Sequence, residues 1–99
     1  MNIIDQNINT IVKLCESHKV NHLYAFGSIL TDKFSDKSDI DLIVTFKEIE
    51  LLSYVDNYFD FKFSLEDILK RPVDLLEEKA IRNAYFKKSV DLQKKLIYG

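Results

Sequence analysis

Three aspartates are the residues of this chain whose type and spacing could do chemistry. Asp39 and Asp41 stand two residues apart in a stretch that alternates like a β-strand, and Asp74 lies in a later apolar stretch. Residues i and i+2 of a strand point to the same side, with Cα atoms roughly 7 Å apart. Two carboxylates held that close disfavour joint ionisation, so the spacing predicts a divalent cation between them. Oxygen ligands favour Mg²⁺, with Mn²⁺ as the alternative, over zinc.

A Gly27-Ser28 pair ends a short apolar stretch and predicts a phosphate-binding turn. Glycine has no Cβ, so a phosphate can approach the backbone at Gly27. Ser28 offers a hydroxyl and an N–H at a predicted helix N-terminus, where the helix dipole favours anions. If Gly27 ends one strand and Asp39 begins its neighbour at the same sheet edge, the two strands must run antiparallel. The phosphate-binding turn and the metal ligands would then meet.

Nucleotidyl transfer is the chemistry that this combination suits. Two metal ions roughly 3.5 to 4 Å apart hold the triphosphate and the attacking hydroxyl in such reactions. Asp39 and Asp41 are predicted to bridge the ions. Asp74 is predicted to complete the metal site on the nucleophile side and to accept the hydroxyl proton. Catalysis would then come mainly from positioning and electrostatics.

Hydrophobic periodicity predicts the elements that must position these residues. The region 50–70 fits a helix better than a strand, although Phe59, Phe61 and Phe63 alternate as they would in a strand. Arg71-Pro72 stops that helix, since the residue before proline is pushed away from the α region. The predicted elements are helices over 2–18, 50–70 (with a break near Ser64) and 78–94, one helical turn and an exposed loop over 29–38, and strands over 22–26, 39–46, 72–76 and 96–98.

This order predicts an α/β (α+β) fold, with a small mixed sheet of three to four strands and helices packed on one face. The 99 residues predict a single domain over 1–99. Cys15 is the only cysteine, which excludes a disulfide framework and a thiolate metal cluster. No apolar run approaches the roughly 20 residues of a membrane span, so a cytoplasmic protein without membrane attachment is expected. The net charge of −2 argues against nucleic acid as a partner.

Two segments resemble a known family. FGSILTDKFSDKSDIDLIV combines Gly27-Ser28, ten intervening residues and the Asp-x-Asp pair. RPVDLLEEKAIRNAYFKKSV carries Asp74 at the place of a third carboxylate. Over nearly its whole length the chain is similar to the minimal nucleotidyltransferases of the DNA polymerase beta superfamily. The resemblance implies the nucleotidyltransferase fold, ATP as a substrate and Mg²⁺ as the cofactor.

The resemblance also implies a partner and a biological role. Such domains are often encoded with a HEPN-domain protein, and some act as antitoxins that transfer AMP from ATP to a tyrosine of that partner. Members often carry Ala-Arg-Gly soon after the Gly-Ser pair, where this chain has Leu30-Thr31-Asp32. The missing arginine removes a phosphate or partner contact. The alternative function is therefore a catalytically weak or inactive binding module that neutralises a HEPN-type partner by contact.

An aromatic group in region 50–70 has two interpretations. Its members are core residues, or they form a docking surface for the partner or for a second copy of the chain, as in a homo-oligomer. The group comprises Tyr54, Tyr58, Phe59, Phe61 and Phe63. His18 and His22 flank a predicted helix end and are assigned no role.

Overall fold

The computed structural model describes residues 2–99; Met1, the first residue of the predicted domain, lies outside them. The described residues contain four helices and four strands, in the order α1-α2-β1-β2-α3-β3-α4-β4, with short 3₁₀ turns at Gly27–Leu30 and Glu78–Ala80. The helices are α1 (Asn2–Gln6), α2 (Ile8–Ser17), α3 (Leu51–Leu69) and α4 (Ala84–Gln93), and the strands are β1 (Val20–Phe26), β2 (Ile40–Phe46), β3 (Val73–Glu77) and β4 (Lys95–Tyr98).

The four strands form one mixed sheet in the order β3-β2-β1-β4. β1 runs antiparallel to both β2 and β4, whereas β2 and β3 are parallel. The antiparallel arrangement of β1 and β2 agrees with the orientation expected from Gly27 and Asp39. The predicted fold class is confirmed, and the C-terminal apolar segment pairs as an edge strand, as predicted.

The main hydrophobic core lies between one face of the sheet and the helices α2 and α3. Alternate residues of the strands point into it, because side chains of a strand alternate between faces. From α3, Phe61 and Leu65 are completely buried there, and from α2, Cys15 is completely buried. The strand residues of this core are Val20, Leu23, Ala25, Ile40, Leu42, Val44, Val73 and Leu75.

α4 differs from the other long helices because its residues contact the opposite face of the sheet. Phe86 packs edge-on against Phe26, with ring centroids 5.8 Å apart. The ammonium of Lys94 lies 4.3 Å from the ring centroid of Tyr24. Tyr24 and Phe26 alternate with the core residues of β1 and therefore face away from α2 and α3. The prediction that helices pack on one face of the sheet is correct for α2 and α3. It is wrong for α4, which packs on the opposite face.

The helix boundaries differ from the predicted ones for local reasons. The helix predicted over 2–18 is interrupted at Asn7, whose side chain donates a 2.8 Å hydrogen bond to the Ile3 carbonyl. α3 runs through Ser64 without a break. α4 begins later than predicted because the Asn83 side chain caps it by accepting a 2.9 Å bond from the Phe86 N–H. None of the helices within residues 2–99 combines the length and apolarity needed to cross a bilayer.

The exposed edge of β3 is occupied by side chains of α3. The Glu66 carboxylate accepts a 2.9 Å hydrogen bond from the Val73 N–H. The Tyr58 hydroxyl donates to the Leu75 carbonyl. These bonds protect a strand edge that would otherwise offer free backbone groups to another chain. They also fix β3 against α3, so Asp74, which alternates with Val73 and Leu75, lies on the opposite face.

Candidate active site

The sheet register brings Asp41 and Asp74 side by side. Asp41 is the partner of Asp74 in the parallel ladder of β2 and β3, and it is the partner of Phe26 in the antiparallel ladder of β2 and β1. Neighbouring strands lie about 4.8 Å apart, and paired residues point to the same face. Asp39 directly precedes β2 and is exposed to solvent. The three predicted aspartates therefore lie at one end of the β2–β3 pair.

Gly27 follows the last residue of β1 and lies directly against Asp41. Its φ of +79° is in the region that favours glycine. A Cβ at this position would stand 2.5 Å from Asp41 Oδ2, which is closer than van der Waals contact permits. The sequence suggested glycine as an opening for phosphate. The structure adds a second requirement, because only glycine leaves room for the carboxylate.

Electrostatic repulsion acts within this group of carboxylates. Burial is the largest cause of the raised pKa of Asp41, and the negative charges of Asp74 and Asp39 raise this pKa further. Asp41 is half-buried, whereas Asp39 and Asp74 are exposed. Two neighbouring negative charges that disfavour ionisation of a third create a local field that attracts cations.

The residues fit a divalent metal ion by the chemistry of their ligand atoms. Mg²⁺ is normally held by one or two carboxylates together with water and substrate phosphates. Among the described residues, no three His, Cys, Asp or Glu side chains lie close enough together to hold a metal ion by themselves. Asp39, Asp41 and Asp74 remain the predicted ligands.

The turn after Gly27 is stabilised by Thr31. Its N–H and its hydroxyl donate to the Ser28 carbonyl at 2.9 and 2.8 Å, and its hydroxyl accepts a 3.2 Å bond from the Lys33 N–H. Thr31 therefore closes the turn. Ser28 lies in this turn directly after Gly27 and is partly exposed to solvent.

Sequence analysis missed Arg71, whose guanidinium donates to the carbonyls of Ser35 and Ser38 in the loop before Asp39. An arginine before a proline signals a helix end, and no local pattern indicates which carbonyl oxygens it meets elsewhere in the chain. His18, which was assigned no role, bonds Asp60 through Nε2 at 2.6 Å and so joins α2 to α3.

Comparison with known proteins gives consistent matches. The family model "Polymerase beta, Nucleotidyltransferase" matches residues 9–99. Among curated proteins, a "putative protein adenylyltransferase" of Methanocaldococcus jannaschii is 39% identical over 78 residues, which cover 79% of this chain and 76% of that protein. A second protein of that organism with the same description is 38% identical over 78 residues.

Solved structures share the fold. A structure described as a "putative minimal nucleotidyltransferase" superposes with a TM-score of 0.77 at 24% identity, covering 93% of this chain and 90% of that one. A toxin–antitoxin crystal structure with AMP-PNP gives a TM-score of 0.72 at 25% identity, with 94% and 73% covered. A complex of a tri-AMPylated Shewanella oneidensis HEPN toxin with its MNT antitoxin gives 0.65 at 23% identity, with 96% and 71% covered.

Proposed function

This chain belongs to the polymerase beta nucleotidyltransferase family, and from that premise we propose that it transfers AMP from ATP to a hydroxyl of a HEPN-type protein partner. The reaction depends on Mg²⁺, takes place in the cytoplasm and serves an antitoxin role. The observation that carries the proposal is the pairing of Asp41 with Asp74 beside Gly27, because it unites carboxylates and an open backbone turn at one point.

The proposed reaction assigns a task to each residue. Asp39 and Asp41 hold the metal, and Gly27-Ser28 binds the triphosphate. When bound, the metal neutralises charge on the triphosphate. The acceptor oxygen attacks the α-phosphorus of ATP, the bond to the pyrophosphate oxygen breaks, and Asp74 accepts the hydroxyl proton. The products are an AMP ester of the partner and pyrophosphate.

A protein acceptor is supported by the shape and charge of the chain. The elements of residues 2–99 form one sheet with its helices, and a docked partner would supply the surface that holds an acceptor in line with the α-phosphorus. The net charge of −2 offers no basic track for a nucleic-acid strand. One antitoxin structure of this fold contains a tri-AMPylated HEPN toxin, and the curated relatives are described as putative protein adenylyltransferases.

Incubation with ATP labelled at the α-phosphate, Mg²⁺ and the HEPN-type product of an adjacent gene tests this proposal. We expect label on a tyrosine of the partner, and none when EDTA is present or when that tyrosine is replaced by phenylalanine. Mass spectrometry of the labelled peptide identifies the residue. Neutralisation of the partner without label would establish the binding-module alternative, and equal labelling of RNA ends or small molecules would refute a protein acceptor.

The outer surface of α3 is the proposed docking site for the partner. Phe59 and Phe63 are 43% and 57% exposed and lie beside the exposed Val55, whereas Phe61 is completely buried in the core. A groove of about 320 Å³ between α3 and β3 extends from this surface to Leu75 and Leu76, which directly follow Asp74. The groove therefore joins the exposed surface of α3 to the strand that carries Asp74.

Alanine at Phe59 and Phe63 is expected to weaken the complex with the partner by at least about tenfold, since exposed aromatic residues are typical anchors of interfaces. Mn²⁺ affinity should not change, because neither ring touches the carboxylates. Isothermal titration against the partner measures the effect, with Leu92→Ala on α4, 77% exposed, as the matched control. If the alanine variant loses a homodimer but still binds the partner, this surface is the contact with a second copy of the chain.

A further inference from the structure

The position of Asp39 depends on its backbone. Its side chain is exposed to solvent. It also lies outside β2, which begins at Ile40, so the sheet ladder does not hold it directly. A ligand on an exposed loop needs another element to limit its movement, because metal binding requires fixed ligand geometry.

Arg71 holds the loop immediately before Asp39. Its guanidinium donates to the carbonyl of Ser35 and, at 3.2 Å, to the carbonyl of Ser38. The guanidinium carbon also lies 4.6 Å from the ring centroid of Phe34. Ser35 and Ser38 close a turn of their own, in which the Ser38 N–H donates to the Ser35 carbonyl at 3.0 Å. The Arg71 side chain therefore binds both ends of that turn.

The residue after Arg71 anchors the other side of Asp39. The Pro72 carbonyl accepts a 3.0 Å hydrogen bond from the Ile40 N–H. Asp39 thus lies between two anchored residues, Ser38 and Ile40, and both anchors come from Arg71-Pro72. The same segment continues into β3 and carries Asp74 two residues later. The distance between Asp39 and Asp74 is consequently set by the short segment from Arg71 to Asp74.

The type of side chain at this position is specific. Both hydrogen bonds of Arg71 come from Nη2, while the guanidinium lies against the Phe34 ring, and a planar guanidinium can stack on such a ring in a way that a compact ammonium cannot. Arg71 Nε is buried without a hydrogen-bond partner among the described residues. An unpaired buried N–H opposes stability, and such costs are concentrated at functional sites. The contacts of Arg71 with the Ser35–Ser38 turn are therefore better explained by a role in positioning that turn than by a contribution to stability.

We propose that Arg71 is a positioning residue that fixes the Ser35–Ser38 turn so that Asp39 can bind metal together with Asp41 and Asp74. This inference rests on the proposed function for the identity of the metal ligands. It assigns to Arg71 a role through the loop backbone, because its Nη2 donates to the carbonyls of Ser35 and Ser38.

Mn²⁺ binding to the Arg71→Lys variant tests the inference. Titration followed by the electron paramagnetic resonance of free Mn²⁺ should give a Kd raised by about tenfold, the usual size of an effect on ligand positioning. In transfer assays the Mg²⁺ concentration for half-maximal rate should rise, and kcat at saturating Mg²⁺ should recover. Arg82→Lys, at an exposed position before α4, is the matched control and should bind Mn²⁺ like the wild type.

A double-mutant cycle separates positioning from a general effect on the fold. If Arg71 acts through Asp39, Arg71→Lys should change the Mn²⁺ Kd by less than about twofold in an Asp39→Asn background. An unchanged Kd for folded Arg71→Lys, or the same tenfold loss in the Asp39→Asn background, would overturn the inference. If Arg71→Lys does not fold, Phe34→Leu removes the stacking ring, and it must weaken Mn²⁺ binding in the same direction.

The same measurements distinguish this inference from the proposed function. A wild type that binds Mn²⁺ with dependence on Arg71 but transfers no AMP leaves the inference standing and refutes the proposed reaction. A wild type that does not bind Mn²⁺ overturns both.

Discussion

Replacing Asp41 by asparagine is expected to abolish nucleotidyl transfer, lowering the rate by about 10³-fold or more. The reason is that a metal ion contributes several kcal/mol of charge stabilisation in the transition state, and each 1.4 kcal/mol corresponds to about tenfold in rate. Asp41 is the half-buried centre of the proposed site, with Asp74 and Gly27 as direct neighbours. The label transferred per minute at saturating Mg²⁺ measures the loss.

The same substitution is expected to stabilise the metal-free protein at neutral pH. Burial and the charges of Asp74 and Asp39 raise the pKa of Asp41 above its ordinary value of 3.8. The folded state therefore binds this proton more tightly than the unfolded state does, and stability falls as pH rises from about 3.8 through the raised pKa. Above this pH range the wild type carries the full destabilisation caused by the ionised Asp41 carboxylate. The neutral amide of asparagine removes that destabilisation.

Thermal unfolding without metal at several pH values checks this expectation. The gain in Tm of Asp41→Asn over the wild type should be present at pH 7 and disappear below pH 3.8, where both side chains are neutral. Added Mg²⁺ should raise the Tm of the wild type only. Asp67→Asn, on the exposed end of α3, is the control and should change stability by less than about 0.5 kcal/mol. An unfolded or fully active Asp41→Asn variant would contradict the assigned role.

Replacing Gly27 by alanine is expected to damage both the fold and the reaction. A φ of +79° disfavours any residue with a Cβ, at about 1 to 3 kcal/mol. The new Cβ would also meet Asp41 Oδ2 at 2.5 Å, so the carboxylate must move. Displacement of a reacting group by about 1 Å can cost about 10²-fold in rate. Urea unfolding and Mn²⁺ titration measure the two effects separately.

Gly27→Asn distinguishes the two causes of that damage. Asparagine adopts positive φ more readily than alanine does, so it relieves part of the backbone strain while keeping the Cβ. We expect Gly27→Asn to be more stable than Gly27→Ala and equally poor in binding Mn²⁺. Wild-type Mn²⁺ affinity in either variant would show that Asp41 is not held by contact with Gly27.

Local pattern was sufficient to identify most of the elements and the residues of the candidate site. The alternation around Asp39 and Asp41 predicts a strand with two carboxylates on one side, because the period of a strand depends only on consecutive residues. The Gly27-Ser28 turn, the helix at α3 and the short strand after Pro72 follow from equally local properties of backbone and side chain. The predicted helix boundaries were wrong where a single side chain determined the helix end, as the Asn83 cap does at the start of α4.

Contacts between distant segments were decided by the tertiary structure. Asp74 becomes the partner of Asp41 only because packing of α3 sets the parallel register of β3, and a shift of one residue would turn Asp74 toward the core. Arg71 meets the Ser35 carbonyl across 36 residues of chain. Such contacts depend on how whole elements pack, and packing is a property of shape and volume summed over many residues that no short window of sequence contains.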